Sequence, residues 1–302
     1  MTDASDGDAG AARPEAGTIP AFEARLAAER RARTLRLALS AGIALPILVV
    51  AARVGEVSPA RLVEGLPDLG NYIADTLPVI RAGHVGEDVG DWMWGLDRWL
   101  SLILDTLVIA FLGALVGAAL ALSTALLAAR NLTPLPLVGT AARRLQEVAR
   151  TVPELVFALI FVYAFGVGPL AGVLAVILHS WGALGKLTGD AAENVEMGPV
   201  EALLAAGCTW LDRARLAVLP QILPLFTSYL LFRFEINVRA ASVLGIVGAG
   251  GIGQELYFVV RQFEYPDISA ILVLIVLLVT MIDIASGALR RVLIGAEGAG
   301  VA

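Results

Sequence analysis

GPVEALLAAGCTWLDRARLAVLP (Gly198–Pro220) is the stretch on which the fold turns. Gly then Pro opens a helix, because the fixed φ of proline suits a first turn. Val200, Leu203, Leu204, Gly207 and Leu211 fall at helical spacing, with Glu201, Asp212, Arg213 and Arg215 between them. That pattern predicts a short amphipathic helix over about 199–211, ending before Leu219-Pro220. On both sides lie blocks of roughly 20 residues with few charges, the length that crosses a bilayer core. A short amphipathic helix between two such blocks has two uses. It lies on the lipid surface, or it docks its face into a groove on a cytoplasmic partner.

The composition agrees with a membrane setting. Of 302 residues, 58% are hydrophobic and 17% are charged. Soluble domains sit near ~45–50% and ~25%. A soluble globular enzyme and a disordered chain are excluded. The 14 Pro and 31 Gly follow no period, which excludes a collagen-like or repeat array. The net charge is −6 and no basic stripe exists, so no nucleic-acid partner is expected. One cysteine, Cys208, forbids an intrachain disulfide, and two histidines, His84 and His179, leave too few ligands for a Cys/His zinc site. No metal or cofactor is expected.

The apolar blocks predict six helical spans: about 37–52, 100–129, 151–165, 170–187, 221–241 and 268–289. Residues 1–34 read as a disordered cytoplasmic tail. Arg25, Arg30, Arg31, Arg33 and Arg36 precede the first block, which reads as a retained helix over 35–52 in preference to a signal peptide, because the basic region begins late and Arg53 and Glu56 follow the block. Residues 53–98 hold eight carboxylates against Arg53, Arg61, Arg81 and Arg98, which predicts a periplasmic loop. Trp92, Trp94 and Trp99 mark an interfacial belt before the second span. Arg130, Arg143, Arg144 and Arg150 put the next loop inside. Thr151-Val-Pro153-Glu154 has capping-box spacing and predicts the start of the third span. Residues 99–292 form the transmembrane domain, 293–302 a cytoplasmic tail, and both termini lie inside the plasma (inner) membrane.

Three charges fall inside the fifth span: Arg233, Glu235 and Arg239. Each costs ~2.5–3.5 kcal/mol at mid-bilayer on insertion scales, so each is expected to face protein or water. Glu235 and Arg239 are four apart, in the favourable order for a pair. Either the pair locks helix packing, or an arginine lines the path of an anion. The division expected is that Arg239 pairs with Glu235 while Arg233, sharing a face with Asn237, is freer. His179 in the fourth span is a packing residue or a second candidate on the path. Gly248-Ala-Gly250-Gly251-Ile-Gly253 satisfies G-x-G-x-x-G, but a membrane span precedes it where a dinucleotide fold needs a strand. These glycines instead permit close backbone approach, as a plain turn, an outer gate or a docking surface.

At this point the residues resemble a known family. Glu201-Ala202-Leu203, then Gly207, then Leu219-Pro220, is similar to the EAA signature of ATP-binding-cassette (ABC) importer permeases. Leu203 and Ala217 depart from it mildly. The segments 127–133, Thr151–Leu155, Ala183–Leu187, Glu193-Asn194, Arg233–Arg239 and Val247–Gly253 resemble the phosphonate-importer permeases, over about residues 95–292. The resemblance implies an all-α integral membrane fold of the type I, methionine-importer-like kind. It implies a coupling helix in which Pro199, Glu201, Ala202, Ala206, Gly207 and Leu211 meet a cytoplasmic ABC ATPase subunit. It implies a second copy of the chain, a solute-binding protein outside, and a small anionic substrate such as phosphonate, phosphite or phosphate. Alternatives are a permease for another solute such as methionine, or a secondary transporter using Glu235 or His179 as a proton relay. No G-x-x-x-x-G-K-[ST] loop occurs, so ATP hydrolysis belongs to the partner.

Overall fold

The computed structural model describes residues 19–81 and 83–294. Their regular structure is helical throughout. The helices are α1 (Ile19–Val54), α2 (Pro59–Thr76), α3 (Val85–Trp92), α4 (Leu96–Ala128), α5 (Pro136–Thr151) and α6 (Glu154–Phe165). They continue as α7 (Pro169–Glu193), α8 (Met197–Ala205), α9 (Trp210–Arg213), α10 (Leu219–Leu244), α11 (Ile252–Gln262) and α12 (Tyr265–Ile294). A π-helical turn, Ala214–Val218, joins α9 to α10, and a 3-10 turn, Gly245–Val247, follows α10.

The chain divides into two compact units, one up to Asn71 and one from Tyr72. In the first, Leu26–Val54 is long and apolar enough to cross a membrane, and no residue of its most apolar stretch is buried. Residues 19–34, expected as part of a disordered tail, are helical instead. They are rich in Ala and Arg, strong helix formers, and a helix nucleated in the adjoining apolar block extends at little cost. The rest of the expected tail, 1–18, and residues 295–302 lie outside the described residues. The stretch 53–98, expected as a loop, carries α2 and α3.

In the second unit α4 and α7 form the largest helix interface. It is built from small residues. Ala110, Gly113, Ala114, Gly117, Ala118, Ala121 and Ala125 recur along one face of α4 and are buried. A Cβ at Gly113 would sit 2.3 Å from Val176, and one at Gly117 would sit 2.7 Å from Ser180. Close backbone approach of this kind holds helices together where lipid removes the hydrophobic drive.

Among the described residues, four helices have span length and hydropathy alone: the 26–54 stretch, α4, α7 and α12. Counting each of two bent pairs as one span brings the number up to the six expected. Residues 210–247 and α11 meet at 45°, and α5 and α6 meet at 91°. The second bend corrects the expected third span. No capping box forms there: the Thr151 hydroxyl donates to the Glu147 carbonyl at 2.6 Å, and Pro153 stands at the N-cap without a side-chain bond. Proline lacks an N–H and pushes its predecessor out of helical geometry, so Val152 is extended and the chain turns. Helix α5, expected within a cytoplasmic loop, packs on α7. Gly182 lets the Arg150 amide come within 2.5 Å of an ideal Cβ position, and Gly185 seats the buried Gln146. Gln146 Nε2 and Trp181 Nε1 each donate to Thr124 Oγ1 at 2.9 Å, tying α5 and α7 to α4.

Candidate functional site

The 91° bend carries its residues to the middle of the helical layer. At ~1.5 Å per residue, His179 lies about 15 Å from the start of α7 and about 21 Å from its end. Arg233 lies about 21 Å and about 17 Å from the two ends of α10 by the same measure. His179 Nδ1 lies 3.1 Å from the Val152 carbonyl at the bend. Arg233 Nε donates to Ser180 Oγ at 3.1 Å, and Asn237 Nδ2 donates to the same oxygen at 3.0 Å. Arg233 Nη2 faces Glu154 Oε2 at 3.8 Å. His179, Arg233 and Asn237, separate candidates in sequence, thus meet in one cluster with Ser180 and Glu154.

Glu235 and Arg239 form a second cluster. Arg239 Nη2 donates to Glu235 Oε1 at 2.7 Å, the pairing the i,i+4 spacing predicts. Arg290 of α12 approaches Glu235 Oε2 at 3.5 Å, and Asp283 lies 4.0 Å from Arg239. The expected division between the two arginines is reversed in exposure. The Arg233 side chain is 8% exposed, whereas that of Arg239 is 46% exposed. The reason is tertiary: α6 and α7 close over Arg233, while Arg239 sits on the flank of α10 that faces α12.

The segment 197–220 is also more divided than its sequence predicts. The helix expected over 199–211 stops at Ala205. Gly207 adopts φ +78 and its N–H bonds to Leu204 O, while the Cys208 N–H reaches back to Leu203 O. This is a Schellman-type stop, for which glycine is suited because it has no Cβ. Thr209 and Asp212 then form a capping box that starts α9, so the capping-box pattern of this chain is realised here and not at Thr151. Val200 is buried and Leu203 packs inward, with Ala217, Val218 and Ile222. Pro199, Glu201, Ala202, Ala206, Gly207 and Leu211 are all exposed. Trp210 Nε1 donates to Leu132 O at 2.7 Å, fixing α9 to the loop after α4.

The glycines 248–253 form a backbone joint. Gly248, Gly250 and Gly251 have φ between +74 and +83. Gly168 N–H donates to Gly248 O and Ile252 N–H donates to Thr106 Oγ1, both at 2.9 Å. Gly250, Gly251 and Gly253 are buried, so in this structure they shape the turn and offer no docking surface themselves.

Sequence reasoning missed Glu154, Ser180, Asp283 and Arg290. Glu154 carries only a capping signal in sequence. The stronger clue is that it and Asp283 are carboxylates within apolar blocks, where a charge needs a partner.

The comparisons with known proteins follow the same lines. Residues 121–294 match the binding-protein-dependent transport system inner membrane component family. The chain is 39% identical over 245 residues to the phosphite transport system permease protein PtxC of Stutzerimonas stutzeri, covering 81% of this chain and 85% of that one. It is 40% identical over 193 residues to the phosphate-import permease protein PhnE of Mycolicibacterium smegmatis, covering 64% of this chain and 36% of that one. Among solved structures, the inward-facing MetNI methionine ABC transporter matches with a TM-score of 0.55 at 22% identity, over 67% of this chain and 97% of that chain. A bacterial ABC importer of alginate matches with a TM-score of 0.57 at 14% identity, over 86% and 98%. These two likenesses are of fold alone. With its apolar helices, small-residue packing and match over residues 121–294, the chain belongs to the inner-membrane permease components of binding-protein-dependent ABC transport systems.

Proposed function

We propose that this chain is the permease subunit of an ATP-driven importer for phosphonate or a related phosphorus oxyanion. The observation that carries the substrate class is the 39% identity, over 81% of the chain, to a phosphite permease. The buried guanidinium of Arg233 at mid-depth supports it, since such a group matches oxyanion geometry with a fork of donors. Two copies of the chain enclose one path, with both termini cytoplasmic. The exposed face of Pro199, Glu201, Ala202, Ala206, Gly207 and Leu211 docks on a separate ATPase subunit, which alone hydrolyses ATP. A solute-binding protein delivers the anion from outside, and the joint at Gly248–Gly253 serves the outer gate. His179, Arg233, Asn237, Glu235 and Arg239 line or support the path. Closure of the ATPase pair drives the spans from inward-facing to outward-facing, provided its contacts with α8 and α9 differ between the two states.

The test is the ATPase rate of the complex in lipid nanodiscs against methylphosphonate, phosphite, phosphate and methionine. Stimulation by a phosphorus oxyanion and not by methionine is expected, and Gly207→Leu is expected to abolish it while the permease still purifies folded. Arg233→Gln is expected to lower transport more than assembly with the ATPase. Stimulation by methionine alone moves the substrate elsewhere, and a chain that binds no ATPase refutes the coupling role of 199–211.

A further inference from the structure

The mid-depth cluster leaves two atoms unmatched. Arg233 Nη2 and Glu154 Oε2 are both buried, and neither has a hydrogen-bond partner. They face each other at 3.8 Å, too far for a hydrogen bond. Arg233 has committed its Nε to Ser180, so Nη2 is a donor held ready in a side chain only 8% exposed. Glu154 also begins α6, a helix of 12 residues. The Val156 N–H bonds to the Pro153 carbonyl at 3.0 Å, which leaves the N–H groups of Glu154 and Leu155 without a partner in their own helix, and Pro153 supplies no side-chain cap. The positive end of the α6 dipole therefore opens at the depth of Arg233. Broken helices at mid-membrane hold anionic groups with such ends.

Resting on the substrate class proposed above, we propose that Arg233, Glu154 and the start of α6 form a way-station for the anion, and that Glu154 selects oxyanions that keep one P–OH. A group entering between the two unmatched atoms must accept from Nη2 and donate to Oε2. A monoprotonated phosphorus oxyanion does both: P–O⁻ meets the guanidinium and P–OH meets the carboxylate. A fully deprotonated dianion has no hydrogen to donate and meets the charge of Glu154 at short range, where a low dielectric strengthens repulsion. The 3.8 Å separation is a closed state. Opening it requires α6 to swing from α10 about the Val152-Pro153 bend, where His179 from α7 holds the Val152 carbonyl. The charged or titratable groups facing Glu154 are Arg233 from α10 and His179 from α7; the Gly245–Val247 turn contributes none.

The experiment is uptake of labelled phosphite into proteoliposomes carrying the permease–ATPase complex. It is fed by its binding protein at sub-saturating phosphite, between about pH 5 and 8, a range that brackets a second ionisation near ~6 for phosphate monoesters. Wild-type uptake is expected to fall with the monoanion fraction, about tenfold per pH unit above that ionisation. Glu154→Gln presents an amide donor to P–O⁻ and should flatten the fall. Glu154→Asp keeps the carboxylate and should keep the fall at lower uptake. Should the glutamine variant fail to assemble, the wild type still decides. The midpoint for chloromethylphosphonate, whose second ionisation is the more acidic, should lie below that for methylphosphonate by more than the binding protein's own shift. An unmoved midpoint, an unchanged slope in Glu154→Gln, or a slope abolished by His179→Gln alone overturns the role of Glu154. Absence of any oxyanion response in the wild type refutes the substrate class instead, a distinct result.

Discussion

Gly253→Ala tests whether the glycine joint is set by backbone contact. An ideal Cβ at Gly253 would lie 1.8 Å from the Ser242 carbonyl oxygen and 2.7 Å from its carbon. Carbon and oxygen settle at ~3.3–3.6 Å, so the two backbones must part by about 1.5 Å. No side chain can rotate aside, because both listeners to the clash are main chain: α11 on one side and the last turn of α10 on the other. Overpacking a tight site costs typically ~1–3 kcal/mol, and this contact belongs at the upper end. For a domain of ~150–250 residues each kcal/mol moves the melting temperature by ~2–4 °C, so a fall of about 6–12 °C is expected. Size-exclusion chromatography after graded heating of the detergent-solubilised chain reads it directly. The control is Gly287→Ala in α12, where an added Cβ meets nothing within 4 Å. That change should be neutral or slightly stabilising, because alanine favours helix over glycine. A Gly253→Ala protein melting within about 2 °C of the wild type would refute the close-contact reasoning.

Other outcomes follow from the charged groups. Glu235→Gln leaves Arg239 and Arg290 facing each other without their shared carboxylate; loss of one partner of a buried pair costs ~3–5 kcal/mol, and the half-exposed Arg239 places this at or below the lower end, measurable as a lower melting temperature. Outside the spans, Asp88 is buried and accepts from three donor groups of Arg81: its amide at 2.7 Å, Nη2 at 2.5 Å and Nε at 3.1 Å. The Arg81 side chain, with its amide, holds the Asp88 carboxyl below the usual carboxylate range. Because the folded pKa is depressed, the contact is fully present above the unfolded value of ~3.9 and is lost as pH falls through the lower folded value. A nitroxide on Val79→Cys, in a Cys208→Ser background, should stay immobile down to about pH 4 and loosen below it; in Asp88→Asn it should be mobile already at neutral pH. Gly182→Val drives a side chain into the α5 backbone at Arg150, so protease access to the loop before α5 should rise; access equal to wild type would detach α5 from α7 in the membrane.

Much of this protein is written locally. Uncharged blocks of span length, the arginine-rich stretch 130–150 and the Glu201-to-Pro220 spacing are visible residue by residue, because hydropathy and helical period depend only on near neighbours. The Glu235–Arg239 pair is legible for the same reason, since four residues bring two side chains onto one face. The helix stop at Gly207 is local as well, yet the amphipathic period runs through it, so the period alone predicts one helix where two form. What only the tertiary structure decided is where the chain bends and which charges meet. Thr151-Val-Pro153-Glu154 is equally a helix start or a break. The notches at Gly182 and Gly185 settle it by seating α5 against α7, which brings Glu154 in beside the middle of α7 and α10. There it faces Arg233, 79 positions away in sequence, a partnership set by packing because no local spacing encodes it.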